Sequence, residues 1–269
     1  MADDEAAFIP RPIRYPASQN LLSAKKAAVT GLSFCVRAWS AWAPGLETEA
    51  AWLQWAGRTE LCPSLAPETL PVLLRRRVSP LGQKALKAAW SLADSTAARL
   101  VFCSRHSEFG RTLSILDSLV SHTEVSPADF TLSVHNALLG LLSIARANRH
   151  GHTMIAAGTE SFGFGMLEAL SCLAERPEDP VVLVYFDEPL PAPYDVFDLD
   201  APGPIALALT LSAEDGERFI LATGPVDGAP GSGEPGALAF MGVMLGAENQ
   251  AVTVGEQLVW RWRGGDAPD

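Results

Sequence analysis

Glu160 and Ser161 are the first pair of side chains whose types and placing could do chemistry. They follow a short β-type run, Thr153–Ala157, and stand just ahead of an apolar helical run, Phe162–Glu175. A serine on a strand-to-helix turn is where a nucleophile elbow presents its hydroxyl. The residue two before it, however, is Thr159 and not glycine, so the Gly-x-Ser-x-Gly pattern fails. The last histidine is His152, ahead of the serine, whereas hydrolases of that plan supply theirs after it. Gly158 and Gly163 have the spacing of a phosphate-binding loop, but Phe164 stands where a lysine must be. His135-Asn136 lie at a helix start, as polar caps or as binding groups. His106 and Glu108 lie at a strand end, either as a solvated loop or where α/β proteins bind ligands. The histidines at 106, 122, 135, 150 and 152 form no metal signature. Cys35, Cys62, Cys103 and Cys172 are scattered, without metal-ligand spacing, and read as reduced thiols of a cytoplasmic protein.

The elements that must position these residues alternate. A helical run from about Phe130 to Asn148 precedes the strand at 153–157, and the apolar helix is followed by a strand at Val181–Glu188. Helix, strand, helix, strand predicts a mostly parallel sheet covered by helices. The helix at 162–175 has no polar face over its first three turns, since only Glu168 and Ser171 interrupt it. A helix apolar all round is buried on every side. Its polar tip at Glu160-Ser161 therefore faces an interior or an interface. Earlier in the chain, Leu32–Trp39 predicts a strand, Ala50–Trp55 a short helix, and Pro63, Pro67 and Pro71 an extended connector. Ser79-Pro80 opens a helix to about Ser95, with serine as cap and proline in the first turn. Arg99–Cys103 predicts a strand, Gly110–Ser121 a helix and Ser126–Phe130 a turn. After the prolines at 189, 191 and 193, Ile205–Leu211 and Arg218–Thr223 predict two antiparallel strands across an Ala213–Gly216 turn. Gly224–Gly236 predicts a flexible loop, Gly236–Gly246 an apolar helix or buried turn, and Ala251–Trp262 a last strand.

The composition sets bounds. With 269 residues, 48% of them hydrophobic, the chain can bury a substantial core. No apolar run approaches the ~18 residues of a membrane span, and the acidic start Met1–Glu5 does not read as a secretion signal. A net charge of −11 disfavours nucleic-acid binding. Against it stands one basic cluster, Arg75-Arg76-Arg77 with Lys84 and Lys87 beyond, either a solvated face or a dock for an acidic partner. The expected organisation is an extension at 1–30, one domain over 31–225, and a tail over 226–269 that packs on it.

Taken together, the runs Arg75–Leu86, Val101–Glu108, Ser126-Pro127 through Phe130 to Val134-His135-Asn136-Ala137-Leu138-Leu139-Gly140, the buried helix and Val181–Glu188 resemble the N-terminal half of beta-ketoacyl synthases. The likeness extends over roughly residues 32–225 and is strongest to the short, chain-length-factor-like members that accompany aryl-polyene and polyketide pathways. The resemblance implies half of a thiolase-like α/β fold, in which central helices are buried between two similar halves.

In a working ketosynthase that helix begins with a cysteine, which its N-terminus helps to hold as thiolate. The resemblance puts this position on Glu160 or Ser161, so neither candidate is sulfur, and Cys172 falls too far along the helix to serve. The two histidines of the family's second half have no counterpart after His152. The resemblance therefore implies a catalytically silent subunit that needs no cofactor and supports a partner ketosynthase with an acyl carrier protein, as a heterodimer or a homodimer. Glu160 or Ser161 would then cap the helix. Ser133, His135, Asn136, Phe162, Phe164 and Met166 would line the acyl or partner interface, within 133–147 and 161–174. Arg75, Arg76, Arg77 and Lys84 would dock the carrier. The helix, lacking the second half, needs cover from the tail at 236–262, a second copy or a partner. Two other readings are an acyltransferase or thioesterase using Ser161 with Glu160, His135 or His152 as base, and an acyl-binding module.

Overall fold

The computed structural model describes residues 31–57, 69–197, 203–226 and 236–265. The expected extension at 1–30, Cys62, Pro63, Pro67 and the loop residues 227–235 lie outside the described residues. The elements are β1 (Leu32–Trp42), α1 (Glu49–Trp55), α2 (Val72–Arg75), α3 (Pro80–Ser91), β2 (Arg99–Cys103), α4 (Phe109–Val120), α5 (Pro127–Leu132), α6 (Ala137–Ala145), β3 (His152–Ile155), α7 (Ser161–Glu175), β4 (Val181–Asp187), β5 (Ile205–Ser212), β6 (Glu217–Pro225), α8 (Gly236–Met244), β7 (Gln250–Val254) and β8 (Leu258–Gly264). The helical run expected from 130 to 148 is broken at Ser133–Asn136. The turn expected at Ser126–Phe130 is the start of α5, capped by Ser126 with Pro127 next.

One eight-stranded sheet has the order β3-β2-β4-β5-β1-β6-β8-β7. Only β2 pairs in parallel, with β3 on one side and β4 on the other. All other neighbours are antiparallel, which corrects the expectation of a mostly parallel sheet. The reason lies in β1. This long first strand sits between β5 and β6 and runs against both. The Ala213–Gly216 turn is consequently not a hairpin turn. It carries the chain from one side of β1 to the other beside Val36, where the pairing register shifts. Gly216 makes the crossing possible: its φ is +115°, and a Cβ there would lie 2.4 Å from the Val36 carbonyl oxygen. The single strand expected at 251–262 is also two, the hairpin β7–β8.

The strands alternate between two cores. Along β4, Val181, Leu183 and Tyr185 face α7 and α8, whereas Val182, Val184 and Phe186 face α3 and α6. Both faces of β4 are covered, so its seven residues are all buried. The helix expected to be buried on every side is α7; it is buried against the sheet and the tail, but Phe164, Leu167 and Glu168 are only half-buried and Ser171 is exposed. Phe162 packs against Phe240 of α8 and Trp262 of β8, at ring separations of 5.9 and 5.5 Å. A Cβ on Gly163 would lie 2.6 Å from the Trp260 ring, so glycine lets β8 close on the helix. Phe240 is fully buried among Phe34, Phe162, Phe219 and Trp262. Phe240→Ala should therefore cost about 3–5 kcal/mol. Thermal unfolding should report it at roughly 2–4 °C per kcal/mol for a chain of this size, and an unchanged midpoint would show that the tail does not hold α7.

Candidate functional site

Strand β3 leads through Ala156–Glu160 into α7, and Gly158 takes a φ of +56° in this turn. Ser161 is buried, 1% exposed. Its Oγ accepts a hydrogen bond from Ala157 N (2.9 Å) and donates one to Gly158 O (2.7 Å). Both bonds tie the turn to itself and occupy the hydroxyl. Neither partner is an imidazole or a carboxylate. His135 directs Nε2 to Ser104 O at 3.1 Å, and His152 stands exposed at the far end of β3. None of the three candidate bases hydrogen-bonds Ser161.

Glu160 is likewise buried, with 5% exposure. Its Oε2 accepts from Gln257 N (2.9 Å), and its Oε1 from Leu258 N and Trp260 Nε1 (3.0 Å each). The expected helix cap is corrected here: the Glu160 side chain makes no cap bond to α7. An N-cap side chain reaches its own helix from an extended backbone. Glu160 instead has φ −94° and ψ 9°, and its carboxylate goes to the β7–β8 hairpin.

The other expected interface residues divide. Phe162 and Met166 are buried within the chain, Phe162 edge-on to Tyr185 at 5.5 Å, while Phe164 is half-buried against Trp260 at 5.2 Å. Ser133 Oγ donates to Phe130 O, and exposed Asn136 sits at the cap position of α6 without a side-chain cap bond. His135 is a spacer instead of a cap, because Ser107 Oγ also donates to its carbonyl and so joins the α5–α6 turn to the end of β2. Arg75, Arg76 and Arg77 are exposed together, whereas the Lys84 ammonium lies 4.5 Å from the centre of the Trp42 ring. Glu108 is neither solvated nor open to a ligand. It accepts from Ser79 N, Ser79 Oγ and Arg111 Nε, joining the cap of α3 to α4.

Sequence reasoning missed a buried ionic group at the strand ends. Arg105, after β2, pairs with Asp187 at the end of β4, and Tyr185 Oη donates to Asp187 Oδ2 at 3.2 Å. Burial raises the Asp187 pKa, with Arg105 opposing it. Burial, reinforced by Asp187, also raises the Cys103 thiol and the Tyr185 phenol well above their ordinary ranges. The available signal was the charge of Asp187 closing the unbroken apolar run Val181–Phe186, since a charge at the end of a buried strand needs a partner. Among the described residues, no group of three or more His, Cys, Asp or Glu could hold a metal ion, and no helix is long and apolar enough to cross a membrane.

Two outcomes follow from this end of the sheet. Asp187→Asn exchanges the carboxylate that faces the buried Arg105 guanidinium for a neutral amide, which should cost about 3–5 kcal/mol in denaturant unfolding. Burial lowers the pKa of His135 from 6.5, against backbone bonds that raise it. Its contribution to stability is thus complete above 6.5 and lost as pH falls through that value toward the folded pKa. His135→Gln should flatten the dependence of melting temperature on pH between about 5 and 7, and an unaltered profile would remove His135 from this role.

The profile of the family described as beta-ketoacyl synthase, N-terminal domain, matches residues 52–263. A search of the curated proteins finds no match. Among solved structures, a chain of the ketosynthase (ApeO) in complex with its chain length factor (ApeC) from Xenorhabdus doucetiae is similar at 29% identity and a TM-score of 0.74, covering 86% of this chain and 99% of that one. The ishigamide ketosynthase/chain length factor shares the fold at 15% identity and a TM-score of 0.56, over 72% of this chain and 67% of that one. A beta-ketoacyl synthase from Burkholderia phymatum does so at 12% identity and a TM-score of 0.53, over 80% and 69%. With the family profile spanning most of its length, this chain belongs to the beta-ketoacyl synthase N-terminal domain family.

Proposed function

We propose that this protein is a non-catalytic ketosynthase-like subunit, of chain-length-factor type, that supports acyl-chain elongation by a separate ketosynthase in aryl-polyene or related polyketide synthesis. The observation that carries this reading is the tip of α7. Where the resemblance expects a cysteine stand Glu160 and Ser161, both buried and both fully engaged with this chain's own backbone and indole groups. A nucleophile has to be reachable and activated by a neighbouring base, and Ser161 is neither. The similarity to a chain of the Xenorhabdus ketosynthase–chain length factor complex supports the same reading.

A partner surface is also at hand. Among the described residues, strand β3 is an edge of the sheet, with no strand paired on its outer side. Helix α4 is amphipathic yet buries none of its residues completely. Leu116, Leu119 and Val120 on it, Phe130 of α5, Val134 in the α5–α6 turn and Ile144 of α6 are all exposed. Exposed apolar side chains gathered on one side of a fold favour a protein partner. Exposed Arg75, Arg76 and Arg77 on a chain of net charge −11 offer the carrier protein's acidic surface a contact that would be salt-sensitive.

The test is co-expression with an aryl-polyene-type ketosynthase. A stable 1:1 complex is expected, with elongation only when both chains are present. Ile144→Glu should break the complex while leaving the melting temperature of the isolated chain unchanged. Replacing Arg75, Arg76 and Arg77 by Ala should raise KM for the carrier protein and leave the complex intact. Acyl transfer by the isolated chain, lost in a folded Ser161→Ala variant, would overturn the proposal in favour of a serine acyltransferase.

A further inference from the structure

The Glu160 carboxylate is held in an unusual way. Among the described residues no cation pairs with it; three N–H dipoles carry its charge. Two of them, from Gln257 and Leu258, are consecutive backbone groups in the turn between β7 and β8. Successive backbone N–H groups in a turn make a concavity for an anion. The turn is closed independently of the carboxylate, by Gly255 N donating to Leu258 O at 2.8 Å. The third donor, the Trp260 indole, is buried and fixed by packing on Phe164. Gly255 completes the site: a Cβ there would fall 2.2 Å from the Glu160 carboxyl carbon, inside the space the carboxylate occupies. Backbone, indole and glycine thus form a receptor of carboxylate shape whose donors all belong to the tail and whose ligand belongs to α7.

We infer that the Gly255–Trp260 turn is a carboxylate-binding site that Glu160 fills in cis, and that removing the Glu160 side chain opens it to a small free monocarboxylate. The inference rests on hydrogen-bond geometry within one chain and is independent of any partner. A failed complex with a ketosynthase would leave it standing, and its own failure would leave the subunit role untouched.

Formate is the probe, with chloride at equal ionic strength as the control. Glu160→Ala should lower the melting temperature by about 5 °C or more, since charge-assisted hydrogen bonds are among the stronger ones. Formate should recover part of that loss and chloride should not, because a ligand that binds only the folded state raises the melting temperature. Formate should also change the emission of Trp260 in this variant. Wild-type protein should respond to neither salt, its site being full. Glu160→Gln keeps an oxygen for Leu258 and Trp260 but sets an amide N–H₂ against the Gln257 N–H. It should fall less than the alanine variant and gain nothing from formate. Trp260→Phe removes one donor and leaves the carboxylate in place, so it should melt lower, again without recovery. Should Glu160→Ala fail to fold in buffer, refolding in formate is the readout. Folded protein recovered in formate and not in chloride supports the site, and recovery in neither overturns it. An alanine variant as stable as wild type, or one that formate and chloride affect equally, also overturns it.

Discussion

The structure depends on burying most of α7, which keeps only one stripe, from Phe164 through Leu167 and Glu168 to Ser171, partly open. One face lies on the sheet, against Val101, Cys103, Leu183 and Tyr185. Away from the sheet, Phe162 reaches Phe240 and Trp262 while Phe164 meets Trp260, and water would leave each such large side chain unfavourably exposed at roughly 1.5–3 kcal/mol. Helix α8 and the β7–β8 hairpin cover this side of the helix, and they do so with large aromatic rings, Phe240, Trp260 and Trp262. The sheet accommodates this by growing on one side only. The hairpin extends it from β6, and β8 thereby lies in line with the helix tip it must shelter.

That arrangement explains why the helix tip carries a carboxylate. A hairpin turn packed against a helix start brings backbone N–H groups into a dry space, and unsatisfied donors there cost about 1–3 kcal/mol each. Glu160 supplies acceptors to three donors at once. A cysteine in its place could satisfy none of them well, because sulfur is a weak acceptor. The residue at the head of α7 and the sequence of the last hairpin are therefore coupled. Changing one to a nucleophile without changing the other would leave the hairpin without its anchor.

Much of this was legible in the sequence because local signals were strong. The all-round apolarity of 162–174 marks a buried helix, and Ser79-Pro80 marks a helix start that the structure keeps. The sheet was misread for a non-local reason. Alternating helices and strands suggest parallel neighbours, but no local pattern shows that β1 inserts between β5 and β6. That insertion is decided by the crossing at Gly216 beside Val36. At the site, the positions of Glu160 and Ser161 were found, but their roles were not. A carboxylate next to a helix start reads as a cap, and its real partners lie about a hundred residues away at Gln257, Leu258 and Trp260. Asp187 gave a signal as a charge closing a buried strand, but its partner Arg105 lies at the end of another strand, where no local pattern points to it.

The chemistry of sulfur argues in the same direction as the geometry. A thiol becomes a nucleophile when its surroundings favour the thiolate, as a helix N-terminus or a neighbouring cation does. Cys103 is fully buried with Asp187 nearby, and both burial and that carboxylate push its pKa upward. Cys172 lies three turns down α7, and burial raises it too, against a smaller opposing effect of Arg99. Each is held as a neutral thiol by surroundings opposite to those of an acyl-accepting cysteine. At the tip of α7 a helix N-terminus, a strand end and an aromatic wall meet, and there the chain sets oxygen acceptors to bind its own tail.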